Sequence, residues 1–239
     1  MVWIIVLGIL AICALGLWIT LQRGSLPCFY LRRRAEPGQK RVACVGDSIT
    51  YGYGVRNWIK KQYPAQLESL LGRGYCVRNF GVCGGTASLT GDLPYEKTAA
   101  YRKSLDFCPD IVLLLLGTND SKPYNYRGSD LYAEDLKRLC AVYRALPTKP
   151  QIFLLTPPPA WSLGEAPVRF DIRADVIEHE LCSAVRAVSA AESVSCIDLF
   201  SIMRSDPGMF WDGVHPNAKG AEAIAGIIYD SLKKECGYE

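Results

Sequence analysis

The sequence predicts an α/β fold in which a mostly parallel sheet is covered by helices on both faces. Two observations carry that prediction. Short apolar runs bounded by Gly or Pro alternate with longer segments of helical periodicity, which is the pattern of strand–helix–strand units. Ser48, Gly81, Asn119 and the segment around His215 all occupy post-strand positions, on the rim where open α/β sheets hold ligands.

Ahead of the first strand, Trp3 to Leu21 (WIIVLGILAICALGLWITL) is a 19-residue run without a formal charge. As a helix it would be roughly 28 Å long, close to a bilayer core. Trp3 and Trp18 lie near its ends, where aromatics favour the interface. The expected organisation is a transmembrane anchor over 1–22, a basic linker over 23–39 and one domain over 40–236. A cleaved signal peptide is the alternative, although the positive n-region is missing and no cleavage site stands out; a buried core helix is the other. Basic residues follow the span and none precedes it, so the positive-inside rule places the domain on the cytoplasmic side, with export as the alternative.

The formal net charge of +3 comes from this leader. Arg23, Arg32, Arg33 and Arg34 precede residue 35, and without them the balance is −1. No basic face, zinc-finger spacing or aromatic–basic repeat points to nucleic acid. The ten cysteines include no CxxC pair, and a domain of this size needs no disulfides. Cys44 and Cys196, in strand-like runs, read as small buried hydrophobes; an oxidised, exported domain is the alternative.

Lys40 to Gly46 reads as the first buried strand, with Val42 to Val45 as its apolar centre. Lys60 to Leu71 has helical spacing in Tyr63, Leu67, Leu70 and Leu71, and Pro64 suits a first turn. Tyr75 to Phe80 is a short strand before a glycine-rich turn. Asp110 to Leu116 (DIVLLLL) is the central strand, set off by Cys108-Pro109 and ended by Gly117. A helix is expected over Ser129 to Leu146, then a strand over Ile152 to Thr156, stopped by three prolines. Asp171 to Ala191 reads as a long helix, Val194 to Leu199 as a fifth strand, and Pro216 to Leu232 as a terminal helix.

Only two histidines are present. His179, in DVIEHEL, reads as a surface residue. His215, in DGVHP, follows Asp212 by three positions in a Gly/Pro-shaped turn. That turn lets a carboxylate orient one imidazole nitrogen while the other faces a nucleophile; an Asx turn with a capping histidine is the plain alternative. Ser48 ends the first strand in VGDSIT. Histidine as base makes such a hydroxyl a nucleophile toward an ester, and protonated histidine serves the leaving alcohol. Most loop serines are caps or turn residues.

Acyl transfer also creates an oxyanion. The backbone N–H of Ser48 and of Gly81, and the side-chain amide of Asn119, are three donors for it. A turn glycine and an Asx turn are their plain readings. Asp47 and Asp120 read as caps or braces of these loops, and Cys83 as a thiol without a base. GYGYG fits neither a phosphate loop nor a dinucleotide fingerprint. With two histidines and no ligand cluster, neither a metal nor another cofactor is expected.

In this order, Gly46-Asp47-Ser48-Ile49-Thr50, Asn79-Phe80-Gly81-Val82-Cys83-Gly84-Gly85-Thr86, Gly117-Thr118-Asn119-Asp120 and Asp212-Gly213-Val214-His215-Pro216 resemble the blocks of the GDSL/SGNH hydrolase family. The resemblance spans most of residues 40–235. It implies a flavodoxin-like, three-layer α/β/α sandwich around a five-stranded parallel sheet, and a shallow active site. It also implies Ser48 as nucleophile, His215 as acid/base, Asp212 as its orienting carboxylate, and Gly81 and Asn119 in the oxyanion hole. Cys83 departs from the pattern, since many relatives carry serine there.

GTNDSKPYNYRG and ALPTKPQIFLLTPPPAW are similar to stretches of bacterial carbohydrate and sialate O-acetylesterases of this family. Removal of a small acyl group, especially acetate, from a sugar is therefore expected, with Tyr124, Tyr126 and Trp161 as an aromatic rim. Loop packing is their plain role, and Arg173 is read as a solvated helix residue that reaches the site only as an alternative. The alternative activity is a membrane-associated lysophospholipase or thioesterase; a catalytically inactive binding module is the reading from a different class.

Overall fold

The computed structural model describes residues 35–236. The Trp3–Leu21 run, and the linker as far as residue 34, lie outside the described residues.

Five parallel strands form one sheet: β1 (Lys40–Gly46), β2 (Tyr75–Gly81), β3 (Ile111–Leu115), β4 (Gln151–Leu155) and β5 (Ser195–Ile197). Their spatial order is β2-β1-β3-β4-β5, the doubly wound order of flavodoxin-like proteins. The chain leaves β1 toward one edge and returns to start β3 on its other side. Loops leaving the ends of β1 and β3 therefore diverge, and the crevice between them is open to a ligand.

Both faces of the sheet are buried, and the side chains divide between them with period two. Val42, Cys44, Ile111, Leu113, Leu115, Phe153 and Leu155 pack on one side with Tyr63 and Leu67 of α2 (Tyr63–Leu71) and with Ile224, Ile228 and Leu232 of the last helix, Ala218–Cys236. Ala43, Val45, Val112, Leu114, Ile152 and Leu154 pack on the other, with Leu136, Leu139 and Tyr143 from Ser129–Arg144 and Val185 and Val188 from Cys182–Glu192. Continuous apolar strands are what a sheet covered on both sides requires.

The helices in chain order are α1 (Ser48–Tyr51), α2, α3 (Ala99–Asp106), α4 (Ser129–Arg144), α5 (Cys182–Glu192), α6 (Leu199–Met203) and α7 (Ala218–Cys236). Three differ from the expectation. The helix expected from Lys60 is broken: a separate turn, Trp58–Lys61, precedes α2, which starts with Pro64 in its first turn. The long helix expected from Asp171 begins only at Ala174, because Phe170 and Asp171 have left-handed backbone (φ 61° and 58°). It reaches α5 through a wide turn at Ile177–Leu181. Helix α3 was not expected; Thr98 caps it by accepting the Tyr101 N–H at 3.2 Å.

Among the described residues, no helix is long and apolar enough to cross a membrane. The longest, α7, buries one apolar stripe on the sheet and carries Lys219, Glu222, Asp230, Lys233 and Lys234 elsewhere. This corrects the expectation of a membrane-associated protein with a transmembrane helix. The assignment of the domain to the cytoplasmic or exported side of a bilayer falls with it. Cys44 is buried as expected, but Cys196 is exposed, because β5 is an edge strand with one neighbour.

Candidate active site

The turn after β1 presents Ser48. Asp47 caps α1 by accepting the Ile49 N–H at 2.9 Å, and Gly52 closes the helix in a left-handed conformation. Asn79, buried near the end of β2, donates to the Thr50 carbonyl at 2.6 Å and ties the same short helix to the sheet. Ser48 thus starts a turn fixed at both ends.

The loop before α7 brings His215 to it. The Ser48 Oγ and His215 Nε2 are 2.9 Å apart, and His215 Nδ1 is 2.8 Å from Asp212 Oδ2. With Nδ1–H donating to the carboxylate, Nε2 is left to accept the serine proton. The other carboxylate oxygen accepts the main-chain N–H of Val214 at 3.0 Å and of His215 at 2.7 Å. Asp212 is fully buried. Burial alone would raise its pKa, but the His215 ring and these two N–H groups prevail and hold it below the ordinary value. The relay is anionic at one end and neutral at the other.

An open pocket of about 220 Å³ borders this relay, and Gly84, Thr118, Asn119, Ile172 and Val214 are among the residues that line it. The Asn119 amide donates to the Gly85 carbonyl at 3.2 Å and to Asp47 Oδ2 at 3.5 Å. The main-chain carbonyl of Asn119 accepts from the Asn125 side-chain amide at 2.9 Å. Asp120 fixes the facing loop by accepting the N–H groups of Ala87 (3.1 Å) and Ser88 (2.9 Å).

Burial raises both braces. It pushes Asp120 up to about 7, against those two N–H groups, and Asp47 up to about 6, against the Ile49 N–H and the charges of His215 and Lys122. The Thr118 hydroxyl lies near enough to Asp47 to favour its charged form, yet it has no partner at hydrogen-bond geometry.

The glycine expected in the oxyanion hole does not line the pocket. Gly81 is still inside β2, opposite Gly46, and its N–H already donates to Asn79 Oδ1 at 2.8 Å. A Cβ there would lie 2.2 Å from the Tyr51 nitrogen, so the close approach of α1 is what demands glycine. Gly84, three residues on, lines the pocket in a left-handed conformation (φ 85°). Among the described residues its N–H has no protein acceptor.

The aromatic rim also differs. Tyr124 is exposed beside Lys122, Tyr126 bonds Glu180 and lines a separate small cavity, and Trp161 packs on Phe210. None of the three lines the Ser48 pocket. The rings around His215 are instead Tyr53 at 4.7 Å, Phe170 at 5.2 Å and Trp211 at 6.3 Å between centroids. Arg173 stacks over Tyr126 and pairs with Asp175, and His179 is exposed on its helix, as expected. Cys83 lines the pocket as an exposed side chain, and the surrounding protein and the Asp47 charge push its thiol up to about 12, which disfavours the thiolate. Among the described residues no cluster of side chains is suited to hold a metal ion.

The family model described as the GDSL-like Lipase/Acylhydrolase family matches residues 44–223. The chain is similar to an acetylxylan esterase of Xylanibacter ruminicola, 37% identical over 211 residues that cover 81% of this chain and 43% of that protein. It is also similar to a multidomain esterase of Ruminococcus flavefaciens, 31% identical over 227 residues, covering 81% of this chain and 28% of that protein. It therefore spans less than half the length of these curated relatives. The solved structure of a carbohydrate acetylesterase from Sinorhizobium meliloti superimposes with a TM-score of 0.65 at 20% identity, over 82% of this chain and 99% of that one. That likeness is one of fold.

Proposed function

Because this chain belongs to the GDSL-like lipase/acylhydrolase family, we propose that it is a serine esterase releasing small acyl groups, chiefly acetate, from carbohydrates. The observation that carries the proposal is the unbroken Asp212–His215–Ser48 relay on the edge of an open pocket.

In the first stage His215 Nε2 takes the Ser48 proton as Oγ attacks the ester carbonyl. The carbonyl oxygen becomes an oxyanion, received by the N–H groups of Ser48 and Gly84 and by the Asn119 amide. The 3.5 Å contact from that amide to Asp47 is long enough to be exchanged for the stronger acceptor. The intermediate collapses, the alcohol leaves with the proton from His215, and the acyl group stays on Ser48. In the second stage His215 deprotonates water, which attacks the acyl-enzyme; the acid departs and Ser48 regains its proton. Asp212 keeps the imidazole in the right tautomer and stabilises the imidazolium at each stage.

Two observations support a small acyl group on a sugar. The pocket, about 220 Å³, is below the roughly 300–1,000 Å³ of sites for drug-sized ligands. The relative with 37% identity is described as an acetylxylan esterase. The test is acid release from a panel of acetylated sugars and of esters with longer acyl chains, with Ser48→Ala as control. Acetate release that Ser48→Ala abolishes, and an acyl adduct on Ser48 by mass spectrometry, are expected. Undiminished turnover by Ser48→Ala would overturn the mechanism; faster release of long acyl chains than of acetate would overturn the substrate.

A further inference from the structure

Resting on this esterase reading, we propose that the preferred ester carries a carboxylate close to the scissile bond, and that Lys122 binds it. Lys122 lines the same pocket as Ser48 and His215 but takes no part in acyl transfer. Its side chain belongs to a residue only 9% exposed. Its stem is covered while the ammonium opens on the pocket, and among the described residues Lys122 forms no ion pair, so the charge is available to an anionic ligand. Its neighbour is the Tyr124 ring, 5.8 Å from Nζ to the centroid. Asp47 senses its charge from beyond ion-pair distance, and the oxygens of that carboxylate are engaged by the Ile49 N–H and the Asn119 amide.

The rest of the pocket sharpens the inference. No Asp or Glu lines it, and Tyr53, Phe170, Ile172 and Val214 supply its less polar walls. Thr118, which lines the pocket with Asn119, keeps a buried hydroxyl without a hydrogen-bond partner. A neutral sugar acetate offers the ammonium no ion-pair partner. A carboxylate would neutralise it through a charge-assisted hydrogen bond.

The lysine is also well placed for reading the reacting ester. It ends the turn Asn119–Ser121, and its carbonyl accepts the main-chain N–H groups of Asn125 and Tyr126, both at 2.9 Å. Its backbone is thereby fixed three residues from Asn119. A carboxylate can lie on the alcohol, as in a uronic acid, or on the acyl chain, as in a hemisuccinate; one ammonium serves both.

The experiment measures kcat/KM of the full chain on three esters: an acetylated methyl glucuronoside, the matched acetylated methyl glucoside, and a methyl glucoside hemisuccinate. At least one anionic ester is expected to exceed the neutral acetate by about tenfold or more, and that one identifies which side carries the charge. Lys122→Met is expected to lower the anionic-to-neutral ratio by about tenfold, and Lys122→Arg to restore most of it. If Lys122→Met fails to fold, the parental ratio and Lys122→Arg still decide. Equal turnover of the three esters, or proportional losses that leave the ratio unchanged in Lys122→Met, would overturn the proposal and leave the esterase reading standing. No turnover of any ester and no adduct on Ser48 would overturn the esterase reading itself.

Discussion

The carboxylate of Asp212 holds His215 at two separate points: one oxygen takes the ring Nδ1–H at 2.8 Å and the other takes the main-chain N–H at 2.7 Å. The first contact sets the tautomer, and the second sets the turn that delivers the ring to Ser48. Catalysis and local folding therefore depend on the same side chain but on different atoms of it.

Asp212→Asn separates the two. Its remaining oxygen still accepts the main-chain N–H groups, while its amide faces Nδ1 with a donor and favours the wrong tautomer. The expected result is a fall in kcat of roughly 10³–10⁴ with the unfolding midpoint nearly kept. Asp212→Ala removes both contacts and leaves two buried N–H groups unpaired, which costs about 1–3 kcal/mol for each group. Steady-state kinetics beside thermal unfolding distinguishes the variants; equal loss of stability in both would show that the ring contact also holds the turn.

The two glycines of NFGVCGG that concern the site give opposite phenotypes. Gly84→Ala has room, its nearest neighbour being Leu93 Cδ2 at 3.6 Å, but its left-handed backbone is strained by a side chain. Relaxation of that strain turns the N–H away from the oxyanion, so kcat is expected to fall about 10²–10³ while the protein stays folded. Gly81→Ala instead drives a Cβ into the α1 backbone; its loss is expected in folding yield and unfolding midpoint. Chemical denaturation and kcat on one acetate ester check both.

This pair also shows where the sequence ceased to be readable. The central strands β1, β3 and β4 were legible because they are buried on both faces and so have continuous apolar centres. The ordered blocks located Ser48, Asn119, Asp212 and His215. Two neighbouring glycines look alike in sequence, however, and only the end of β2 decides between them: Gly81 still pairs with Gly46. The aromatic surround was hidden for another reason. Tyr53, Phe170 and Trp211 come from three separate loops, and Phe170 reaches His215 from a left-handed residue that no local sequence preference marks. Helix α3 was missed because AAYRKSLD buries only Ala100 and Ser104, too little for an apolar stripe.

Asp47 and Asp120 make stability fall with rising pH in the acid to neutral range. Each keeps its proton in the folded protein to a higher pH than in the unfolded chain, where the ordinary value is 3.8. Their contribution is complete below that value and is lost as the pH rises to about 6 for Asp47 and about 7 for Asp120. While both are in their windows, each contributes a slope of about 1.4 kcal/mol per pH unit. Asp212 acts in the opposite sense, but only as pH falls below the ordinary carboxylate range. Asp120→Asn is expected to be less stable than the parent near pH 4, where it exchanges an acceptor for an amide, and to close that gap toward pH 8. Urea unfolding across this range measures it; parallel curves for parent and variant would refute the buried-carboxylate account.

Trp211 offers a test of what the rings around His215 do. It is 43% exposed, and its indole is stacked toward His215 and lies 6.0 Å from Tyr53. No hydrogen bond of the relay passes through it. Trp211→Ala should therefore leave the tautomer and the nucleophile in place but remove a face against which a sugar ring can lie. An aromatic contact of about 1 kcal/mol corresponds to a roughly fivefold rise in KM for acetylated sugars. A small acetate ester without a sugar ring should show a much smaller rise, since it never reaches that face. If kcat falls and KM stays constant for both esters, the indole supports the catalytic loop instead of binding the alcohol portion.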